Sequence, residues 1–267
     1  MPPFWIVDAF TSAPFEGNPA AVVLMDTPYD AAWAQRVAAE FNLSETAFAR
    51  HYDDRSGWEL RWFTPTTEVD LCGHATLATA HVLASETSRG PIRFFTRSGE
   101  LVVTSAEGRY WMDFPSAAPT PAAIPPGLHE ALDAQPLGVW SGATGDLLAE
   151  LPDAEALRQL KPNMSLLKQL PARGVIVTAP ATAPYDFVSR FFAPAVGVPE
   201  DPVTGSAHTV LAPFWADRLN RSELFARQIS QRGGDVLLRL EKPGRVLIGG
   251  SAVTIMSGSL SIPNTTL

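Results

Sequence analysis

Two short glycine-containing segments carry the residue types that can hold an anion without a metal. Residues 73–76 read GHAT and residues 205–208 read GSAH. Each segment lies where a loop is predicted to enter a helix, and the first N–H groups of a helix have no partners within it. Together with the positive end of the helix dipole, these groups favour a carboxylate or an enolate-like charge. Either segment alone could be an ordinary tight turn, so the two are candidates as a pair.

Polar side chains near these segments are further candidates. His74, at a predicted helix N-terminus, is expected to stay neutral and to polarise a substrate or relay a proton, unless it only packs between strands. His208, one turn inside its helix, is expected to be structural. Asp201, in the segment PEDPVTGSAH, can contact a substrate amine or hydroxyl, or it can cap its own loop.

The two segments belong to a longer internal repeat. RWFTP from Arg61 resembles RFFAP from Arg190, GHAT resembles GSAH, and RSGELVV from Arg97 resembles RGGDVLL from Arg232. The offsets between the copies are 129, 132 and 135 residues. The shared order and the slow drift of the offset favour two copies of one unit over chance recurrence.

The pattern of apolar residues predicts a mixed fold in both halves. Short β-branched and aromatic runs separated by Gly, Pro and Asp predict strands. The predicted strands are 4–10, 20–25, 46–50, 58–63, 92–95, 100–106, 109–114, 174–179, 186–192, 235–240 and 245–250. Helices are predicted at 31–41 with Asp30 as the N-cap, and at 74–84, 154–169 and 206–218. The proline-rich segment 115–127 is the predicted linker.

This organisation predicts two domains, 1–116 and 117–267, with the last strand able to return to the first half. Two such α+β units, related by an approximate two-fold axis, are expected to form an interdomain cleft in which the repeated turns meet. Clefts of this kind are a common location for small-molecule sites.

Composition and charge exclude several classes of partner. The net charge of −8 disfavours nucleic acid and anionic lipid, but not a small anion held by backbone dipoles. No apolar run approaches the roughly 20 residues of a membrane span, and a cytoplasmic protein is expected. The single cysteine, Cys72, excludes an internal disulfide, and Cys72, His74 and His81 lack the spacing of a metal hydrolase site.

Longer motifs resemble those of the phenazine-biosynthesis PhzF-like family. They are DAFTSAPFEGNPAAVVL, NLSETAF, RWFTPTTEVDLCGHATLATAHVL, EDPVTGSAH, QRGG and VLIGGSAVT, in the family's order and over nearly the whole chain. The resemblance implies an α+β fold like that of diaminopimelate epimerase. In that fold, two pseudo-symmetric domains each wrap a bent, mostly antiparallel sheet around a central helix, and the active site lies in the cleft between them.

The resemblance also implies a reaction and a set of site residues. The reaction is a cofactor-independent and metal-free proton shift on a small, cyclic or amino carboxylic acid, similar to that of trans-2,3-dihydro-3-hydroxyanthranilate isomerase. The substrate and the pathway stay open, and a homodimer is expected. Glu45 matches the catalytic carboxylate, and the substrate-binding positions match Asn18, Gly73, His74, Asp201, Gly205 and Ser206.

Two alternatives remain. A two-base amino-acid epimerase or racemase of the same fold needs a thiol on each side of its cleft. Cys72 stands at one such position, but Thr204 stands at the other, and its hydroxyl is too weak an acid or base to replace a thiolate. The racemase is therefore disfavoured. The second alternative is a non-catalytic protein that binds small anions.

Overall fold

The computed structural model describes residues 1–52, 57–86 and 90–262. The chain divides into two compact units, Met1–Asp113 with Gly249–Leu267, and Phe114–Ile248. The strands are β1 (Pro3–Ala9), β2 (Asn18–Met25), β3 (Glu45–His51), β4 (Trp58–Phe63), β5 (Glu68–Val69), β6 (Ile92–Thr96), β7 (Gly99–Ala106), β8 (Arg109–Pro115), β9 (Thr120–Pro121), β10 (Gly138–Ser141), β11 (Leu147–Glu150), β12 (Val175–Pro180), β13 (Phe187–Phe192), β14 (Glu223–Gln228), β15 (Gly234–Arg239), β16 (Arg245–Gly250) and β17 (Ala252–Ser259).

The helices are shorter in total than the strands. They are α1 (Ala31–Phe41), α2 (Gly73–Glu86), α3 (Leu128–Leu132), α4 (Ala154–Gln159), α5 (Met164–Leu167) and α6 (Gly205–Leu219), with a 3-10 turn at Pro194–Val196. In the described part of the chain, no helix is long and apolar enough to cross a membrane.

Each unit repeats the same succession of strand pairings. In the first unit β1–β2 is antiparallel, β2–β3 parallel, β3–β4 antiparallel, β4–β6 parallel and β6–β7 antiparallel. In the second unit β10–β11, β11–β12, β12–β13, β13–β14 and β14–β15 follow the identical alternation. The internal duplication predicted from the sequence is therefore confirmed by topology. Strand β17 extends the first unit's sheet by pairing antiparallel with β1.

One long helix forms the centre of each unit. Every residue of α2 from His74 to Ala80 is buried. In α6 the buried residues are Ala207, His208, Val210, Leu211, Ala212, Phe214 and Trp215. Helix α2 packs on β1, β2, β3 and β17, and α6 packs on β14 and β15. In contrast, α1 is amphipathic and buries Trp33, Ala34, Val37 and Ala38 against Phe48 and its neighbours in the first sheet.

Most elements predicted from the sequence are present. Asp30 caps α1 by accepting a hydrogen bond from the backbone N–H of Ala32, as predicted. The prediction of one helix over 154–169 is wrong, because Pro162 cannot donate a helical hydrogen bond and restricts the preceding residue, so the segment forms α4 and α5 instead. Further elements were not predicted, and they are β5, β9, β10, β11, β14, β17 and α3.

The loop between β1 and β2 depends on a glycine at its end. Gly17 has a φ of +69°, and a Cβ there would lie 2.2 Å from the carbonyl oxygen of Ala9. The loop is held further by Asp8, whose buried carboxylate accepts a hydrogen bond from the N–H of Phe15 at 2.9 Å. The glycine thus fixes the chain immediately before Asn18, the first residue of β2.

We expect Gly17→Ala to destabilise the fold by about 2–3 kcal/mol, because it combines left-handed backbone strain with a clash against a backbone oxygen. Gly108→Ala is the matched control. Gly108 has a similar φ of +74° but open space around the added Cβ, so strain alone should cost about 1 kcal/mol. Urea unfolding of both variants measures the difference, and equal losses would contradict a steric role for Gly17.

Candidate active site

The predicted site residues form two groups, one in each unit. Asn18, Glu45, Gly73 and His74 belong to the first unit. Asp201, Gly205 and Ser206 belong to the second.

Strand order brings the first group together. Asn18 and Glu45 are the first residues of β2 and β3, which run parallel with Ala20 opposite Glu45. The two residues therefore lie at the same edge of the sheet, because parallel strands begin at a common edge. Gly73 and His74 are the first two residues of α2, which packs on both strands.

His74 stands between Asn18 and Glu45. Its Nε2 lies 3.2 Å from Glu45 Oε2, and its Nδ1 lies 3.2 Å from Asn18 Nδ2. Because an amide nitrogen only donates, Nδ1 accepts, which leaves the ring proton on Nε2 facing the carboxylate. The contact with Glu45 is close but is not aligned as a hydrogen bond, a common state of catalytic pairs before substrate binds.

Burial keeps the His74 ring uncharged. The residue is only 5% exposed, and desolvation lowers the pKa of His74 to about 3. The sequence-based expectation of a neutral histidine agrees with this direction, although the physical cause is burial rather than the helix dipole. A neutral Nε2–H can donate to a carboxylate or to a substrate oxygen without placing a buried cation beside them.

Cys72, considered from the sequence only as a thiol for the racemase alternative, also contacts this group. The thiol is buried, and its Sγ lies 3.5 Å from His74 Nδ1. Ligand atoms of Glu45, Cys72 and His74 all lie within 4.8 Å of one another, close enough to consider a metal ion. The thiol and the carboxylate, however, approach opposite nitrogens of the ring. His81 is elsewhere, in contact with Tyr110 and Thr254.

The second group is organised around the start of α6. Thr204 is the N-cap residue, and its hydroxyl donates to Asp201 Oδ2 at 2.6 Å instead of capping the helix. Asp201 therefore stabilises its own loop, one of the two roles left open by the sequence. His208 is fully buried and donates from Nδ1 to the Thr204 carbonyl at 2.7 Å, in agreement with a structural role.

Ser206 has a charged neighbour that was not predicted. The Arg173 guanidinium donates to Ser206 Oγ at 3.1 Å and pairs with Asp146, whose side chain is fully buried. Asp146 also accepts a hydrogen bond from the Thr144 hydroxyl at 2.6 Å. The strand registers make Ser44 the counterpart of Arg173, so the repeat in the sequence gave no signal for this arginine.

The strand registers show which residues correspond in the two units. Arg61 lies opposite Phe48 and Arg190 lies opposite Val177, so β3 and β4 share one offset with β12 and β13. The counterpart of Glu45 is therefore Gly174. At this glycine a Cβ would lie 2.6 Å from the Phe191 ring and 3.0 Å from the Phe192 carbonyl oxygen.

The residues at the two helix starts also differ between the units. Glycine begins both α2 and α6. The neighbours Cys72 and His74 of the first unit correspond to Thr204 and Ser206 of the second. Among these corresponding positions, only the first unit carries a carboxylate, a thiol and an imidazole.

Comparison with known proteins assigns this architecture. The model described as "Phenazine biosynthesis-like protein" (PhzC-PhzF) matches residues 7–258. A protein named uncharacterized isomerase from Halalkalibacterium halodurans is 48% identical over 265 residues, which cover 97% of this chain and 98% of the relative. An uncharacterized isomerase of Pseudomonas aeruginosa is 49% identical over 261 residues, covering 96% and 97%.

Solved structures agree with this family and fold. A PhzF-family protein of Enterococcus faecalis has a TM-score of 0.93 at 43% identity, covering 98% of this chain and 99% of the other. A probable proline racemase of Agrobacterium radiobacter, at 11% identity and a TM-score of 0.63, shares the fold alone. The protein thus has the α+β fold of the diaminopimelate epimerase type, and it is an enzyme of the isomerase class. The chain belongs to the PhzC-PhzF family.

The two buried histidines predict how stability depends on pH. Burial lowers the pKa of His74 to about 3 and of His208 to about 4, from 6.5 when exposed. As the pH falls below about 6.5, the unfolded chain therefore binds protons before the folded chain does. The contribution of the two uncharged histidines to the free energy of unfolding is complete above that pH. Below it, each histidine removes on the order of 1 kcal/mol of that free energy per pH unit, down toward its folded pKa.

The variant His208→Gln retains a donor but cannot become charged. The slope of its free energy of unfolding against pH should therefore be smaller than that of the wild-type chain, by the contribution of about one proton. Urea unfolding at pH 7.5, 6 and 5 compares it with the wild-type chain. An unchanged slope would contradict a depressed pKa at His208.

Proposed function

We propose that this protein is a cofactor-independent isomerase that moves a proton on a small, cyclic or amino carboxylic acid, with Glu45 as the catalytic carboxylate. The observation that carries the proposal is the 3.2 Å approach of Glu45 Oε2 to Nε2 of a buried, neutral His74. The Glu45 side chain is 18% exposed, so one edge of the carboxylate can meet a ligand while the other faces the protein. Membership of an isomerase family supports the reaction class.

The chemistry needs one group that removes a proton and returns it. Glu45 takes a proton from one carbon of the substrate, and the released electron pair moves into the neighbouring double-bond system. The protonated Glu45, whose partly exposed carboxyl group can exchange its proton with water, then delivers a proton to another carbon, so the product is an isomer of the substrate. His74 donates Nε2–H to the carboxylate or to a developing oxyanion, and Asn18 keeps the ring in that tautomer.

The remaining predicted residues are proposed to bind the substrate. The backbone at Gly73 and at Gly205 begins a long helix in each unit, where unpaired N–H groups attract a carboxylate. Asp201 and Ser206 supply polar contacts. A reaction like that of trans-2,3-dihydro-3-hydroxyanthranilate isomerase is the proposed model for the substrate class. The homodimer and the cytoplasmic location stay predictions.

The two-thiol racemase is disfavoured by the second unit. Thr204 occupies the position that corresponds to Cys72, and its hydroxyl already donates to Asp201. The position that corresponds to Glu45 is Gly174, so the second unit lacks both the thiol and the carboxylate at these places. This asymmetry is explained more simply by a single acid/base group in the first unit than by two thiols.

We expect Glu45→Gln to lower turnover at least about 10³-fold while leaving the fold intact, because the amide cannot accept a proton. The assay follows deuterium uptake in heavy water, using trans-2,3-dihydro-3-hydroxyanthranilate and a set of cyclic and amino carboxylates that bind the protein. Glu40→Gln is the control, since it makes the same charge change on the exposed face of α1.

Three outcomes of this assay separate the candidate functions. Uptake by the wild-type protein and not by Glu45→Gln supports the proposal. Uptake by Glu45→Gln would show that another group moves the proton. Ligands that bind without any deuterium uptake would favour the non-catalytic anion-binding protein.

Cys72→Ala should keep turnover within about ten-fold of the wild-type value, because the proposed step uses the carboxylate and not the thiol. The contact between Sγ and His74 makes this a demanding test. A loss of 10² or more with an unchanged melting temperature, on the scale expected for a missing acid/base group, would restore thiol catalysis as the better hypothesis.

A further inference from the structure

The loop that carries Asp201 is held by a side chain that no sequence motif indicated. Gln228, the last residue of β14, is fully buried. Its Oε1 accepts a hydrogen bond from the Thr204 N–H at 2.9 Å, and its Nε2 donates to the Asp201 carbonyl at 2.7 Å. Because a backbone N–H only donates and a backbone carbonyl only accepts, these two bonds fix the orientation of the amide.

The fixed amide determines the direction of the next hydrogen bond. Gln228 Nε2 also lies 3.1 Å from Thr204 Oγ1, so the hydroxyl oxygen accepts there. The hydroxyl hydrogen is then directed to Asp201 Oδ2, 2.6 Å away. The chain of donors runs from Gln228 through Thr204 to the carboxylate, and a short O–H···O contact to an ionised acceptor is the strongest kind of such bond.

Among the described residues of the first unit, no such arrangement stands at the corresponding position. The register of β14 with β15, compared with that of β6 with β7, makes Thr96 the counterpart of Gln228. The Thr96 hydroxyl donates to the Gly99 carbonyl within its own hairpin. The arrangement around Asp201 is therefore a feature of the second unit and not a general requirement of the repeated fold.

We propose that Thr204 and Gln228 are positioning residues that orient Asp201 as an ionised hydrogen-bond acceptor for the substrate. The role of Asp201 as a substrate contact rests on the proposed function, whereas the effect of the two positioning residues on its ionisation can be measured without substrate. Thr204 then has a role of its own and is not only a replacement for the thiol of Cys72. Its hydroxyl donates to the neighbouring carboxylate and sets its direction.

The test follows the titration of Asp201 by NMR in protein labelled with ¹³C at the aspartate carboxyl, with Asp201→Asn to assign the resonance. Removing the hydroxyl in Thr204→Val should raise the titration midpoint by about half a pH unit or more, because the ionised form loses a donor. Gln228→Leu should shift the midpoint in the same direction. Thr204→Ser, which keeps the hydroxyl, should restore the wild-type midpoint.

Two comparisons exclude a merely structural effect. Ser230→Ala removes a hydrogen bond to the Pro202 carbonyl of the same loop but not to Asp201 or Thr204, so it should lower stability without moving the midpoint. If Gln228 acts through Thr204, then Gln228→Leu should add no further shift in the Thr204→Val background. Gln228→Met, of similar length, replaces Gln228→Leu if that variant does not fold.

An unchanged midpoint in Thr204→Val, or an equal shift in Ser230→Ala, would overturn the proposal. The outcome is independent of catalysis. An active Glu45→Gln variant would refute the proposed function and leave the titration result standing, while an unmoved titration would leave the role of Glu45 untouched.

Discussion

A pair of forked ion pairs holds the two helix starts on which both residue groups depend. Arg61 binds Glu68 through two hydrogen bonds of 2.7 and 2.9 Å, and Arg190 binds Glu200 through two of 2.7 and 3.0 Å. In each unit the arginine lies near the end of a strand, and the glutamate lies in the segment that leads to the central helix. The guanidinium holds the pKa of Glu68 below its usual range. Two parallel bonds constrain the direction of that segment as well as its distance from the strand.

This constraint explains how one backbone can carry two different sets of side chains. The helix start is fixed by the fork, by the strand pairings and by glycine at the first helical position. The residues around it can then change without loss of the fold. In the first unit the space contains an imidazole beside a carboxylate. In the second it contains Ser206 beside Arg173, whose charge is held by a buried aspartate. The asymmetry of the chemistry is thus imposed on a symmetric scaffold.

The sequence predicted the scaffold better than it predicted the contacts. Most strands of six or more residues were predicted, as was α1 with its Asp30 cap, although β14 and β17 were missed. Short strands such as β10 and β11 were missed because four residues carry too little periodicity to be distinguished from a loop. The prediction of one helix over 154–169 was wrong because the apolar spacing continues across Pro162, whereas the helix does not.

Within the candidate site, the limits were set by distance along the chain. The proximity of Asn18, Glu45 and His74 depends on the parallel pairing of β2 and β3 and on the helix packed over them. Spacing in sequence contains none of that information, and Glu45 was selected only through the family resemblance. Gln228 and Arg173 are also distant in sequence from the motifs they support. Only the hydrogen bonds in the folded chain identify them.

The packing around Gly174 limits which side chains this position can hold. A larger residue there would have to displace the Phe191 ring, on which the Arg173 guanidinium lies at 5.5 Å, and would press on a strand carbonyl. A carboxylate therefore could not be introduced at that position by one substitution without repacking an aromatic side chain. The core around β12 and β13 thus excludes a second acidic group at the place that corresponds to Glu45, and the packing itself keeps the two repeats chemically different.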